Sequence, residues 1–118
     1  LVLTHGPAGE YTRHRRHEEC CRAVATLWRA GSIRTRELWL LAYEDAGGAR
    51  LPRASECADQ RNPLNSTIWE QKRRILIDLY GFAAHDWELR AAPRVESFSR
   101  FTRPDDVWRH IDAREIAP

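Results

Sequence analysis

The sequence predicts an α/β fold, a parallel sheet with flanking helices, and three observations carry that expectation. Leu1-Val2-Leu3-Thr4 is an apolar, strand-like run, residues 13 to 30 place apolar side chains at helical spacing, and Leu38-Trp39-Leu40-Leu41-Ala42-Tyr43 is a second short apolar run. Strand, helix and strand in that order make a βαβ unit, which brings two strands side by side and parallel.

The first strand, Leu1 to Thr4, runs into His5-Gly6-Pro7-Ala8-Gly9-Glu10-Tyr11, whose Gly and Pro content marks a loop. The helix that follows carries its cysteines, Val24, Leu27 and Trp28 on one stripe, and Gly31 stands where a helix ends on a left-handed residue. The run from Leu38 to Tyr43 is continuous in apolar character, as in a strand buried on both faces, and stops at Glu44-Asp45-Ala46-Gly47-Gly48. From Gly48 to Asn65 no period is visible, and connections this long in a small domain commonly line a site. Thr67 with Glu70 offers a capping box for a helix ending at Tyr80, before Gly81, with a broad stripe of Trp69, Ile75, Leu76, Leu79 and Tyr80. Val95 to Phe101 alternates as a strand does, and Pro104-Asp105-Asp106 opens a short helix or tail over 104–118. Trp28, Trp39 and Trp69 fall on apolar runs and read as core residues.

At 118 residues with 42% hydrophobic and 31% charged side chains, the chain is sized and composed as a single globular domain. Its net charge of +2 is too small to imply a nucleic-acid partner without a local cluster. No apolar run reaches the length of a membrane span. Three cysteines, Cys20, Cys21 and Cys57, make neither an even disulfide framework nor a Cys-x-x-Cys pair, so a reducing cytoplasm is the expected compartment. A first residue that is Leu, in a chain without Met, predicts a segment preceded by further sequence.

Chemistry concentrates in Thr4 to Glu19. Ligands in open α/β sheets gather beyond the carboxyl ends of the strands, and this stretch leaves such an end and enters a helix. His14 and His17 are three residues apart and share a helix face. Imidazole nitrogen is a preferred zinc donor, but a catalytic zinc takes three protein ligands, so this pair supplies only part of a site. Amide hydrolysis also needs a carboxylate base and an oxyanion donor; Glu10, Glu18 and Glu19 are the nearby acids. Cys20, one turn beyond His17, extends a His-x-x-His-x-x-Cys face, although free cysteines are more often small core residues. Arg13, Arg15 and Arg16 read either as a solvated helix face or as an attraction for anionic groups. His85 and His110 lack a companion at ligand spacing and read as structural or exposed.

The run Leu-Thr-His-Gly-Pro-Ala-Gly-Glu-Tyr, then His-x-x-His opening a helix that continues into Arg22-Ala23-Val24, resembles the second motif of the PIG-L/LmbE-like de-N-acetylases. Glu70-Gln71-Lys72 on a helix ending in Tyr80, and Val95-Glu96-Ser97-Phe98, are similar to the end of that family's domain, so the resemblance covers about residues 1–103. It implies a Rossmann-like fold, present as an incomplete C-terminal portion, and zinc-dependent removal of an N-acetyl group from an amino sugar or related conjugate. By the same resemblance His17 is the zinc ligand and His14 assists near the oxyanion. Tyr11, Arg13 and Arg16 would contact substrate. The remaining ligands and the base belong to a His-Pro-Asp-Asp motif that does not occur in these residues, so the chain alone is expected to be inactive. Here Thr12-Arg13 stands where the family commonly has Gly, and Arg15-Arg16 where it has Pro-Asp or Pro-Gln, which points to a more acidic substrate. The rival expectation is a non-catalytic module that grips an anion or nucleic-acid phosphate with its Arg/His cluster at a helix N-terminus.

Overall fold

The computed structural model describes residues 1–10 and 13–116, the side chains of 114–116 apart. Strand β1 (Val2–Thr4) leads to helix α1 (Arg15–Arg29), which returns the chain to β2 (Leu38–Leu41), parallel to β1 in the register Val2 to Leu38 and Thr4 to Leu40. This is the βαβ unit expected from the sequence. The stripe on α1 is present in part: Cys21, Ala25 and Trp28 are buried at spacings of four and three and Val24 is half-buried, whereas Cys20 and Leu27 are exposed. The helix ends in a Schellman arrangement, with Gly31 N–H donating to Trp28 O at 3.0 Å and Ser32 N–H to Leu27 O at 2.9 Å. Gly31 sits at φ +73°, where a Cβ is disfavoured.

Beyond β2 the sheet departs from the all-parallel expectation. The chain makes a small hairpin of β3 (Tyr43–Glu44) and β4 (Arg53–Ala54), then β5 (Gln60–Pro63), so the segment from Gly48 to Asn65 is not irregular throughout. Strand β6 (Val95–Phe101) lies between β2 and β5, antiparallel to both. The result is a mixed four-stranded sheet of order β1-β2-β6-β5 with one parallel pair. Leu38 and Leu40 are fully buried while Trp39 and Leu41 are only half-buried, so β2 is not sealed on both faces.

Helix α2 (Ser66–Arg74) is capped by Asn65, whose Oδ1 accepts from Ile68 N–H at 2.9 Å; the cap is two residues before the Thr67 of the expected box. It continues as a π-helical turn, Ile75–Leu79, which widens the helix and rotates the side chains that follow out of phase. The apolar stripe read from the sequence does not become core: Trp69 and Leu76 are half-buried, and Ile75, Leu79 and Tyr80 are exposed. A polar anchor holds the helix instead. Lys72 Nζ donates to Pro93 O at 3.1 Å and to Glu96 Oε1 at 2.5 Å, and the Tyr43 hydroxyl donates to the other oxygen of Glu96.

A short helix α3 (Trp87–Ala91), not foreseen from the sequence, precedes β6. Helix α4 (Pro104–Ile116) is thirteen residues long, where a short helix or tail was expected. It belongs to the core, because Val107 and Ile111 pack with Cys21, Ala25 and Trp28 of α1 and with Leu38 and Leu40 of β2. Among the described residues no helix is long and apolar enough to cross a membrane.

Candidate metal centre

Strand β1 ends at Thr4 and delivers His5 to the carboxyl edge of the parallel pair. There the chain turns back within a few residues. Gly9 N–H donates to Gly6 O at 3.2 Å, and Gly9 adopts φ +80°. The turn is pressed against the end of β2 so closely that a Cβ on Gly6 would lie 2.4 Å from Leu41 O. This reversal brings Glu10 back beside His5, and α1 then starts with His14 as its N-cap and His17 in its first turn.

Glu10 is buried, its side chain 3% exposed, and both of its oxygens are engaged. Oε1 lies 2.7 Å from His5 Nδ1 and accepts from Gly6 N–H at 3.1 Å, while Oε2 contacts His17 Nδ1. The His5 and His17 rings are stacked with centroids 4.0 Å apart and planes within 7° of parallel. His14 also stacks on His17, at 4.3 Å and 30°.

One nitrogen from each of His5 and His17 and one Glu10 oxygen lie within 4.8 Å of one another, a donor set that can hold a metal ion and is of the kind zinc takes. Glu10 faces Nδ1 of both stacked rings. A carboxylate that holds Nδ1 while Nε2 ligates is a recurrent way to orient a metal-binding histidine.

Of the residues singled out in the sequence, His17 lies in this cluster. His14 is exposed beside it, makes no side-chain cap to the helix, and is not among the three converging donors. Arg13 donates to Glu18 at 3.0 Å, and Arg15 and Arg16 donate to Glu19 at 2.8 and 3.0 Å; all three guanidiniums are exposed. The two arginines hold the Glu19 carboxyl below its ordinary range. Tyr11 lies outside the described residues. Cys20 is exposed, its Sγ 3.8 Å from Thr4 Oγ1, and does not extend the donor cluster. Cys21 is fully buried, and burial pushes its thiol up to about 12. His85 is exposed, and half-buried His110 tilts against Phe101 at 5.2 Å and lines a small cleft with Pro7, Gly9 and Ser99.

His5 and Glu10 are the residues that the spacing argument did not assign. The signal was present as two glycines between a histidine and a glutamate in one short loop, which permits a reversal tight enough to bring the ends together. No protein-family model, curated protein or solved structure matches the chain.

Proposed function

We propose that this chain supplies the His-x-x-His side of a zinc-dependent amidohydrolase site that removes an N-acetyl group from an amino sugar or related conjugate. The observation that carries the reading is His17, in the first turn of α1 beside the carboxyl end of a parallel strand pair, with Nδ1 against a buried carboxylate and Nε2 left to serve as a ligand. The resemblance of residues 4 to 24 to the second motif of the PIG-L/LmbE-like de-N-acetylases supports the choice of reaction.

When bound, zinc supplies polarisation of the amide carbonyl and activation of water. The chain's own residues do the rest of this side of the work. His17 holds the ion, and Glu10 keeps its ring in place. His14, exposed and 4.3 Å from the His17 ring, donates a hydrogen bond to the oxygen that gains charge as the amide becomes tetrahedral. Arg13, Arg16 and Tyr11 would contact the substrate, with the charge of the two arginines already met by Glu18 and Glu19. In this reading the further ligands and the base would be those of a His-Pro-Asp-Asp motif, which these residues do not contain.

The rival anion-binding reading is weakened by the ion pairs of Arg13, Arg15 and Arg16, whose charge Glu18 and Glu19 already meet. The test is zinc content and deacetylation by the full-length protein and its His17→Ala form. Loss of both is expected; unchanged occupancy and turnover would overturn the assignment, and metal-independent binding that weakens steeply with salt would favour the rival.

A further inference from the structure

We infer that Glu10 is a positioning residue that selects the tautomer of His17, and that it does so through an asymmetry set by the Gly6 N–H. The inference rests on the reading of His17 as a metal ligand. Its premise is a count of donors and acceptors around one buried side chain.

An ionised carboxylate only accepts hydrogen bonds. Three groups converge on Glu10: Gly6 N–H and His5 Nδ1 on Oε1, at 3.1 and 2.7 Å, and His17 Nδ1 on Oε2. With both oxygens accepting, the two imidazoles carry their protons on Nδ1, which leaves Nε2 of each with its lone pair free. The second nitrogen of a histidine sets which one can bind a metal, and a carboxylate at Nδ1 makes that nitrogen Nε2. Glu10 thus prepares His17 as a ligand before any ion arrives.

The two oxygens are not equivalent. Gly6 N–H is a backbone donor whose position is fixed by the packing of the turn on Leu41 O. In Glu10→Gln, with one accepting oxygen and one donating NH2, that N–H requires the amide oxygen on its own side. The NH2 then faces His17 Nδ1, which must become the acceptor, so His17 switches to the Nε2–H form. His5, on the side of the retained oxygen, keeps its proton on Nδ1. A substitution that barely changes the shape of one buried side chain therefore flips the tautomer of one imidazole and not the other.

The experiment is long-range 15N–1H NMR of the histidine rings in the metal-free chain at alkaline pH, for the unaltered protein and for Glu10→Gln, followed by zinc titration of the full-length protein with and without Glu10→Gln. Expected are Nδ1–H signals for His5 and His17 in the unaltered protein, Nε2–H for His17 alone in Glu10→Gln, and a loss of zinc affinity of roughly 10- to 100-fold, as for other partners that orient metal-binding histidines. An Nε2–H His17 in the unaltered protein overturns the inference, and this holds even where Glu10→Gln fails to fold. A folded Glu10→Gln whose His17 tautomer is unchanged overturns it as well. A full-length protein that takes no zinc, while the unaltered chain shows the expected tautomers, overturns the proposed function and leaves Glu10 as the residue that sets the ring.

Discussion

Replacing Gly6 with alanine adds a single methyl where the turn of the candidate centre touches the end of β2. The new Cβ would stand 2.4 Å from Leu41 O and 3.2 Å from Gly9 O, both backbone atoms that cannot swing aside as a flexible side chain does. Gly6 is not among the residues with positive φ, so the cost is steric contact and not backbone conformation. Overpacking of this kind costs about 1–3 kcal/mol. If the turn relieves the clash by lifting from β2, it also stretches the 3.1 Å bond from Gly6 N–H to Glu10, and a hydrogen bond to a charged group is worth about 1.5–3 kcal/mol. A domain of this size has about 5–15 kcal/mol in total, so Gly6→Ala should lower the urea midpoint well beyond measurement error and shift the ring signals of His5 and His17. A loss below about 0.5 kcal/mol, the range of neutral surface changes, with unshifted histidines would refute the packing of this turn on β2.

Three further outcomes follow from the core. Ile111→Ala removes a fully buried side chain of α4 from its packing with α1 and β2 and should cost about 2–5 kcal/mol in urea denaturation; a cost near zero would show that α4 does not belong to the core. Cys21 keeps its thiol proton to about pH 12 in the folded chain because it is buried, against an ordinary value of 9.0. The unfolded chain therefore binds fewer protons than the folded one between these values, and stability should fall as pH rises from about 9 towards 12. Urea midpoints across that range should fall less steeply in Cys21→Ala. At neutral pH an alkylating reagent should modify exposed Cys20 and Cys57 and spare Cys21, and equal labelling of all three in the folded chain would contradict its burial.

Periodicity made α1 legible because its buried positions, Cys21, Ala25 and Trp28, are local repeats and its stop is a glycine that takes a left-handed conformation. The alternation along β6 and the apolar run of β2 were legible for the same reason. Strand direction was not, since the apolar pattern of a strand is the same whichever way it runs; the mixed sheet depends on how the chain arrives at β6 through α2 and α3. The stripe on α2 misled because periodicity shows an apolar face and not what covers it: no residue of α2 is buried, before the π-helical turn or within it.

The sequence alone determined that His14 and His17 share the opening of a helix that follows a strand, because a spacing of three on a helix leaves little choice of face. Tertiary structure decided which groups stand with them. Glu10, one of three acids near the pair, became the buried one only because the turn at Gly6 and Gly9 folds it back beneath His5 and against α1. His5 joined the cluster from the end of β1, twelve residues before His17. Contacts of that kind arise from how a loop closes on a strand end, and closure depends on backbone packing against β2 that no local pattern encodes.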